Sequence, residues 1–249
     1  KRFGKKNKFW LSGKAYKRVV GTFCYFENKD YIWPYKLDSC WLKEGKNIAL
    51  VTDAGMPGIS DPGEDMARLC RQEGIPVTVA PGASAVVTAL VLSGMPARRF
   101  IFEGFLPTDK KEKAEVLARL EKETRTTVFY EAPHRLTDTL KELLKSAGNR
   151  DAACVREITK KYEEVKKDSL ENLLAFYGEN PPKGEFVVVV GGADAEKLRQ
   201  EEIEGWESIS LEEHMKKYTD SGMSEKDAMK QVAKDRGVSK REIYALLKG

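Results

Sequence analysis

The sequence is poor in the residues from which metal centres and disulfide frameworks are built. It contains only two histidines and four cysteines among 249 residues, and no cysteines have Cys-x-x-Cys spacing. Zinc sites and small disulfide scaffolds both depend on such clusters, so we predict neither a metal site nor a disulfide-stabilised fold. Unclustered cysteines in a chain of this length are typical of the reducing cytosol, and we expect a cytoplasmic protein.

The sequence also lacks long apolar runs. No apolar stretch approaches the roughly 20 residues that cross a bilayer, so we expect no membrane partner. The formal net charge of +4 arises in residues 1–44, which carry eleven basic and four acidic residues but no signal-peptide apolar core. The rest of the chain is close to neutral, and no continuous basic stripe indicates a nucleic-acid-binding surface.

Two common nucleotide-binding patterns are absent, namely Gly-x-Gly-x-x-Gly and Gly-x-x-x-x-Gly-Lys-Ser/Thr. A different glycine- and proline-rich loop, TDAGMPGISDPGE, follows an apolar run that ends at Thr52. Ligands of α/β sheets lie outside the carboxyl ends of strands, where such a loop is placed. It carries Asp53 and Asp61 and no lysine, which suits a ligand with cationic groups or hydroxyls. An elaborate strand-to-helix turn is the structural alternative.

Strand-like and helix-like segments alternate from Gly45 onward. Strands are predicted over 47–52, 75–80, 126–133, 152–157 and 185–192. Helices are predicted over 64–74, 81–94, 113–123, 135–148 and 170–177, the last opened by an Asp168-x-x-Glu171 capping box. Residues 100–107 are either a linker or an edge strand. The alternation predicts an α/β fold with two units, 45–104 and 105–195, preceded by an atypical segment 1–44 without periodicity.

The tail carries three signals for helix starts, about fifteen residues apart: Ser210-x-x-Glu213, Ser224-x-x-Asp227 and Ser239-x-x-Glu242. Gly222 and Gly237 lie between them as stop signals. We therefore predict a three-helix module over residues 205–249. It contains nine basic and eight acidic residues, which leaves open a helix-turn-helix-like contact with nucleic acid and a docking or dimerising role.

Six segments occur in an order and at a spacing that resemble a known family. They are LVTDAGMPGISDPG, PGASAVVTALVLSG, FIFEGFLP, TTVFYEAPHRL, REITKKYEE and KGEFVVVV. Together they are similar to the methyltransferases that modify a cytidine 2′-hydroxyl in small-subunit ribosomal RNA, within the tetrapyrrole-methylase-like group. The similarity runs from about Gly45 to Gly192, and the tail resembles the additional C-terminal module of many members.

The resemblance implies two α/β domains of the tetrapyrrole methylase type, with S-adenosylmethionine in the cleft between them, usually in a homodimer. It implies small-subunit ribosomal RNA or the 30S particle as the partner. The residues that would bind the cofactor are Asp53, Ala54, Gly55, Pro57, Gly58, Ser84, Ala85, Tyr130, Glu131, Val188 and Val189. Of these, the loop residues other than Met56 would line its amino-acid end, and Ser84 and Ala85 would lie beside its ribose and sulfonium. Tyr130 and Glu131 would lie near its adenosine side, with Val188 and Val189 behind them.

Methyl transfer to a ribose hydroxyl is assisted by a group that accepts the hydroxyl proton. Our candidates for this catalytic base are Asp61, Glu131 and His134, in no fixed order. His134 also suits a helix-capping role. Arg135 is expected either to hold an RNA phosphate or to pair with a neighbouring glutamate.

Residues 1–44 depart from the family pattern. The family opens with a strand that leads into a Thr-Pro-Ile-Gly-Asn-type loop, followed by a Glu-Asp-Thr-Arg stretch, and neither occurs here. Two further interpretations therefore stay open: a methylase of a tetrapyrrole or another small molecule, and an inactive member that binds RNA or the ribosome. The YEAPHR and KGEF segments favour the RNA branch.

Overall fold

The computed structural model describes residues 55–60 and 63–248. The atypical segment 1–44, the strand predicted over 47–52 and the site candidates Asp53, Ala54 and Asp61 lie outside the described residues. The chain divides into two compact units, with the boundary between Ala89 and Leu90. No helix of the described ranges is long and apolar enough to cross a membrane.

The first unit contains helix α1 (Glu64–Gln72) and the beginning of α2 (Ala85–Ser93). Helix α1 is amphipathic and buries Met66 and Cys70, which are four residues apart on one face. The prediction of a strand over 75–80 was wrong, because these residues form neither strand nor helix. A short apolar run becomes a strand only beside a partner that completes its hydrogen bonds, and no described strand pairs with it.

The second unit is built on a mixed five-stranded sheet with the order β1-β2-β5-β3-β4. Its strands are β1 (Phe100–Phe105), β2 (Thr126–Glu131), β3 (Asp151–Arg156), β4 (Glu164–Ser169) and β5 (Phe186–Val190). Strands β1 and β2 are parallel, whereas β5 runs antiparallel to β2 and β3, and β4 antiparallel to β3. The α/β prediction is confirmed, and residues 100–105 form an edge strand rather than a linker.

Three helices cover one face of this sheet: α3 (Lys110–Glu121), α4 (Leu136–Ala147) and α5 (Leu170–Glu179). The helical spacing of Leu136, Leu140 and Leu143 is confirmed, because all three are fully buried against this face. The other face is buried as well, as Val128 and Val189 show. Burial on both faces explains why β5 reads as a continuous apolar run.

Strand β4 was not predicted, because its sequence EVKKDS is polar and it lies at the edge of the sheet. Charged residues on an edge strand discourage pairing with other chains. Lys166 turns towards α5, with its ammonium 3.6 Å from the ring centroid of Phe176. The cap of α5 also differs from the prediction. Ser169, not Asp168, is the N-cap and accepts a hydrogen bond from the Asn172 N–H at 3.2 Å.

Four helices follow: α6 (Ala195–Glu207), α7 (Leu211–Thr219), α8 (Glu225–Asp235) and α9 (Lys240–Lys248). The three predicted caps are confirmed, since Ser210, Ser224 and Ser239 each accept the N–H of the third residue along. Helix α6 was not predicted. Its Trp206 stacks on His214 of α7, with ring centroids 4.1 Å apart.

His214 is fully buried, and its neighbours fix the tautomer of its neutral ring. Its Nδ1 accepts a hydrogen bond from Arg236 Nε at 3.2 Å, so the proton of the neutral ring lies on Nε2, which faces Asp235 Oδ2 at 3.2 Å. Tyr218 also donates to Asp235 Oδ2. Burial lowers the pKa of His214 more than Asp235 raises it.

Replacing a core leucine is expected to destabilise the second unit far more than replacing an exposed one. Leu140→Ala removes a fully buried side chain and should lower the free energy of unfolding by about 2–5 kcal/mol. Leu246→Ala, at a residue that is 70% exposed, should cost less than about 0.5 kcal/mol. Urea unfolding followed by circular dichroism measures both, and equal losses would contradict the described core.

Acidification is expected to destabilise the C-terminal helices through His214. Because its folded pKa is lowered, the unfolded chain binds a proton that the folded helices exclude once the pH falls below about 6.5. The free energy of unfolding should therefore decrease as the pH falls from that value towards the folded pKa. Thermal unfolding of the natural chain and of His214→Gln across this range tests the expectation. The variant should show a flatter pH dependence, and identical slopes would contradict it.

Candidate active site

The described part of the glycine- and proline-rich loop has a backbone that few residues other than glycine adopt. Gly55, Gly58 and Ser60 have φ values of 77°, 82° and 56°. Glycine enters this left-handed region without a steric cost, and proline at position 57 fixes its own φ. The composition noted in the sequence therefore specifies a loop of one defined shape.

This loop packs backbone to backbone on the turn that precedes α2. The Met56 N–H donates a hydrogen bond to the Ala83 carbonyl at 2.9 Å. A Cβ atom on Gly55 would lie 2.9 Å from the same carbonyl oxygen, and one on Gly82 would touch Met56 at 3.9 Å. Two segments that the sequence analysis singled out separately are thus in contact, and Gly55 has no room for a side chain.

Ser84 and Ala85 lie where this turn enters α2. The Ser84 carbonyl accepts the N–H of Thr88 at 3.0 Å, and the helix begins at Ala85. The first N–H groups of a helix lack helical partners and carry partial positive charge, which suits a carboxylate or another anionic group. In the first unit, the loop that carries Gly55, Pro57 and Gly58 therefore meets the turn that leads to Ser84 and Ala85. We call residues 55–58 and 82–85 together the loop–turn–helix cluster.

In the second unit, several strands meet one edge of the sheet, which we call the carboxyl edge. The parallel strands β1 and β2 end there at Phe105 and Glu131. Arg156 at the end of β3, Phe186 at the start of β5 and Glu131 are in register across three adjacent strands. Binding sites of α/β sheets lie outside such an edge.

Glu131 is buried at the carboxyl edge with both carboxylate oxygens engaged. Its Oε2 accepts a hydrogen bond from the Thr139 hydroxyl at 2.6 Å, and its Oε1 accepts one from the Ala132 N–H at 2.8 Å. Arg135 Nε lies 3.5 Å from Oε1, and the same guanidinium donates to the Leu106 carbonyl at 2.6 Å. Of the two roles expected for Arg135, the glutamate pair is the one observed. The contact with RNA stays a prediction.

Sequence reasoning missed Thr139. The sequence did contain a feature that could have revealed its role, because Thr139 is a polar residue on the buried face of α4, between Leu136 and Leu140. A hydroxyl at such a position needs a buried partner, and Glu131 supplies one.

The four strand residues expected at the cofactor do not share a face of the sheet. Successive residues of a strand point to opposite faces. Val188 is paired with Phe129 and belongs to the core under the helices, on the same face as Glu131. Tyr130 and Val189 point the other way, and the Tyr130 ring meets Phe102 edge-on at 5.0 Å. The cofactor-binding roles of Tyr130, Glu131, Val188 and Val189 stay predictions.

His134 is exposed in the turn between β2 and α4. It does not cap α4, because that helix has Arg135 at its N-cap position and no side-chain cap. Of the three candidate bases, Asp61 lies outside the described residues and Glu131 is fully engaged. Of the two candidates that the structure describes, His134 is the exposed one.

Comparison with known proteins agrees with the resemblance seen in the motifs. A model of the Tetrapyrrole (Corrin/Porphyrin) Methylases matches residues 36–174. The Ribosomal RNA small subunit methyltransferase I of Halalkalibacterium halodurans is 48% identical over 82% of this chain and 70% of its own length. The corresponding Bacillus subtilis protein is 45% identical over 82% and 70%.

Among solved structures, uroporphyrin-III-C-methyltransferase from Thermus thermophilus has 25% sequence identity and a TM-score of 0.44, over 60% of this chain and 66% of that chain. The region that the family model matches, residues 36–174, covers more than half of the sequence. The two ribosomal RNA methyltransferases are similar to this chain over most of its length. The chain therefore belongs to the tetrapyrrole methylase family, together with these ribosomal RNA small subunit methyltransferases.

Proposed function

We propose that this chain transfers a methyl group from S-adenosylmethionine to the 2′-hydroxyl of a cytidine in small-subunit ribosomal RNA. The observation that carries the proposal is 48% identity over 82% of the chain to a protein named for methylating that RNA. The family resemblance supplies the cytidine 2′-hydroxyl and the homodimer of the proposal, and the unclustered cysteines supply its cytoplasmic setting. The small-molecule alternative has no observation of comparable strength in its favour.

The loop–turn–helix cluster fits this cofactor, with Gly55, Pro57 and Gly58 at its amino-acid end and Ser84 and Ala85 beside its ribose and sulfonium. The residues around the start of α2 are glycines, alanine and serine, which let a ligand approach the backbone closely. The N–H groups at that helix end suit the cofactor's carboxylate. When bound, S-adenosylmethionine supplies a methyl group on a positively charged sulfonium sulfur.

The carboxyl edge provides groups for the acceptor in this proposal. The exposed His134 imidazole would accept the proton of the ribose hydroxyl that receives the methyl group. Glu131 is a positioning residue, because it holds Ala132, Arg135 and Thr139 around the turn that bears His134. Alignment of the hydroxyl with the sulfonium supplies much of the rate enhancement of such a displacement.

Gly55→Ala is expected to weaken binding of S-adenosylmethionine at least tenfold. The new Cβ would lie 2.9 Å from the Ala83 carbonyl and push the loop off its turn. Gly74→Ala is the matched control, because Gly74 has a similar φ of 68° but no atom within 4 Å of the added Cβ. The control should lose about 1–2 kcal/mol of stability and keep its affinity. Calorimetric titration with S-adenosylmethionine measures the affinity of both variants. Equal affinities of Gly55→Ala and Gly74→Ala would contradict cofactor binding at this loop.

Methyl transfer is tested with labelled S-adenosylmethionine and 30S particles that lack the modification. We expect label in the ribosomal RNA, at a linkage that resists alkali, because the 2′-hydroxyl is the nucleophile in alkaline cleavage. His134→Ala should lower the transfer rate by about 10²–10⁴-fold and leave cofactor affinity unchanged. Label in an alkali-sensitive position, or none despite saturable cofactor binding, would refute the proposed reaction. An unchanged rate in the variant would refute the role of His134 alone.

A further inference from the structure

The hairpin loop between β3 and β4, residues 157–163, has a constrained backbone. Glu157 and Thr159 have φ values of 48° and 63°, although neither is glycine. Non-glycine residues in this region persist where surrounding contacts determine their conformation, and they cluster at binding sites.

Hydrogen bonds from within the second unit hold the loop in this conformation. The Glu157 N–H donates to the Glu185 carbonyl at 3.0 Å, and the Glu157 carboxylate accepts the Glu185 N–H at 2.9 Å. Lys160 Nζ donates to Glu157 and Glu185 at 3.1 and 2.7 Å. The Thr159 N–H donates to the Glu163 carboxylate at 2.6 Å. The bonds from the Glu185 N–H and Lys160 lower the pKa of Glu157, which keeps its carboxylate charged.

Gly184 is part of this support. A Cβ atom there would lie 2.6 Å from the Glu157 side chain, and the φ of Gly184 is 86°. The loop is therefore built against a position that only glycine fills without displacing Glu157.

The loop exposes an aromatic ring and a neighbouring cation to solvent. Tyr162 is 63% exposed, and Lys161 Nζ lies 5.5 Å from the centroid of its ring. Lys160 is neutralised by Glu157 and Glu185. Lys161, in contrast, forms no ion pair with any residue that the structure describes. A fixed loop with an exposed ring beside a cation has the chemistry that stacks on a nucleobase and contacts the adjoining phosphate.

The loop leaves the sheet at the carboxyl edge, beside the turn that bears His134. Glu131, Phe186 and Arg156 are in register on three adjacent strands. With strands spaced about 4.8 Å apart, the roots of the turn and of the loop are therefore about 10 Å apart. A neighbouring nucleotide of an RNA strand whose ribose faces His134 is within reach of the loop.

We propose that Lys161 and Tyr162 form a second contact with the substrate RNA, in which Tyr162 stacks on an unpaired base near the target nucleotide and Lys161 binds a phosphate. This inference rests on the proposed function, because it assigns a further contact of the same RNA. The contact selects single-stranded over duplex RNA, since only an unstacked base offers its face to the ring.

The test measures binding of a short, unstructured, fluorescein-labelled RNA by anisotropy. Tyr162→Ala should raise the Kd roughly 5- to 100-fold, whereas Tyr162→Phe keeps the ring and should change it less than about twofold. Lys161→Ala should reduce the slope of log K against log salt by about 0.7, the contribution of one phosphate contact on a single strand. Calorimetric affinity for S-adenosylmethionine should be unchanged in all three variants.

The matched control is Tyr244→Ala on α9, a tyrosine that is 49% exposed in the C-terminal helices. Gly184→Ala provides a second test, because its Cβ would displace the Glu157 side chain that holds the loop and leave Tyr162 in place. It should weaken RNA binding less than Tyr162→Ala does. If Tyr162→Ala binds RNA as tightly as the natural chain does, the proposal is overturned. A loss of RNA affinity confined to Tyr244→Ala would also overturn it and would assign the RNA contact to the C-terminal helices. Absence of RNA binding by the natural chain would overturn it as well. Failure of the methyl-transfer assay with 30S particles is a separate result that refutes the proposed function.

Discussion

The ion pair of Glu131 and Arg135 is the contact on which the arrangement of the carboxyl edge depends. It joins the end of β2 to the start of α4, and through the Leu106 carbonyl it reaches the segment that follows β1. A buried carboxylate is tolerated only while its partners stay in place, and removing one partner typically costs about 3–5 kcal/mol. The contacts of Glu131 with Ala132, Arg135 and Thr139 therefore hold the turn that carries His134.

The features that could be predicted from the sequence are those with local causes. Ser210, Ser224 and Ser239 begin helices because each serine satisfies an N–H only three residues away. The buried face of α4 follows from the spacing of its leucines. The family resemblance was visible in six short segments, because each has a distinctive local sequence. Two of these segments are in contact, through the hydrogen bond from the Met56 N–H to the Ala83 carbonyl.

The features that were missed depend on neighbours distant in sequence. Strand β4 carries no apolar alternation, because it lies at the edge of the sheet and β3 is its one partner among the described strands. The face on which Tyr130 or Val188 lies is decided by the register of β2 and β5, which no local pattern encodes. Glu157 adopts a left-handed backbone because Glu185 and Lys160 hold it there, and nothing in the letters EITKKYE predicts that conformation.

The strand order has a consequence for how the protein is made. Strand β5 lies between β2 and β3, yet it is the last of the five described strands to leave the ribosome. Until residues 186–190 have been synthesised, β2 and β3 each lack their central neighbour and expose unpaired backbone and apolar side chains. The second unit therefore cannot complete its sheet until β5 has been synthesised, and this late step joins segments far apart in the chain. A nascent chain arrested before Val187 would be a target for chaperones rather than a partly working enzyme.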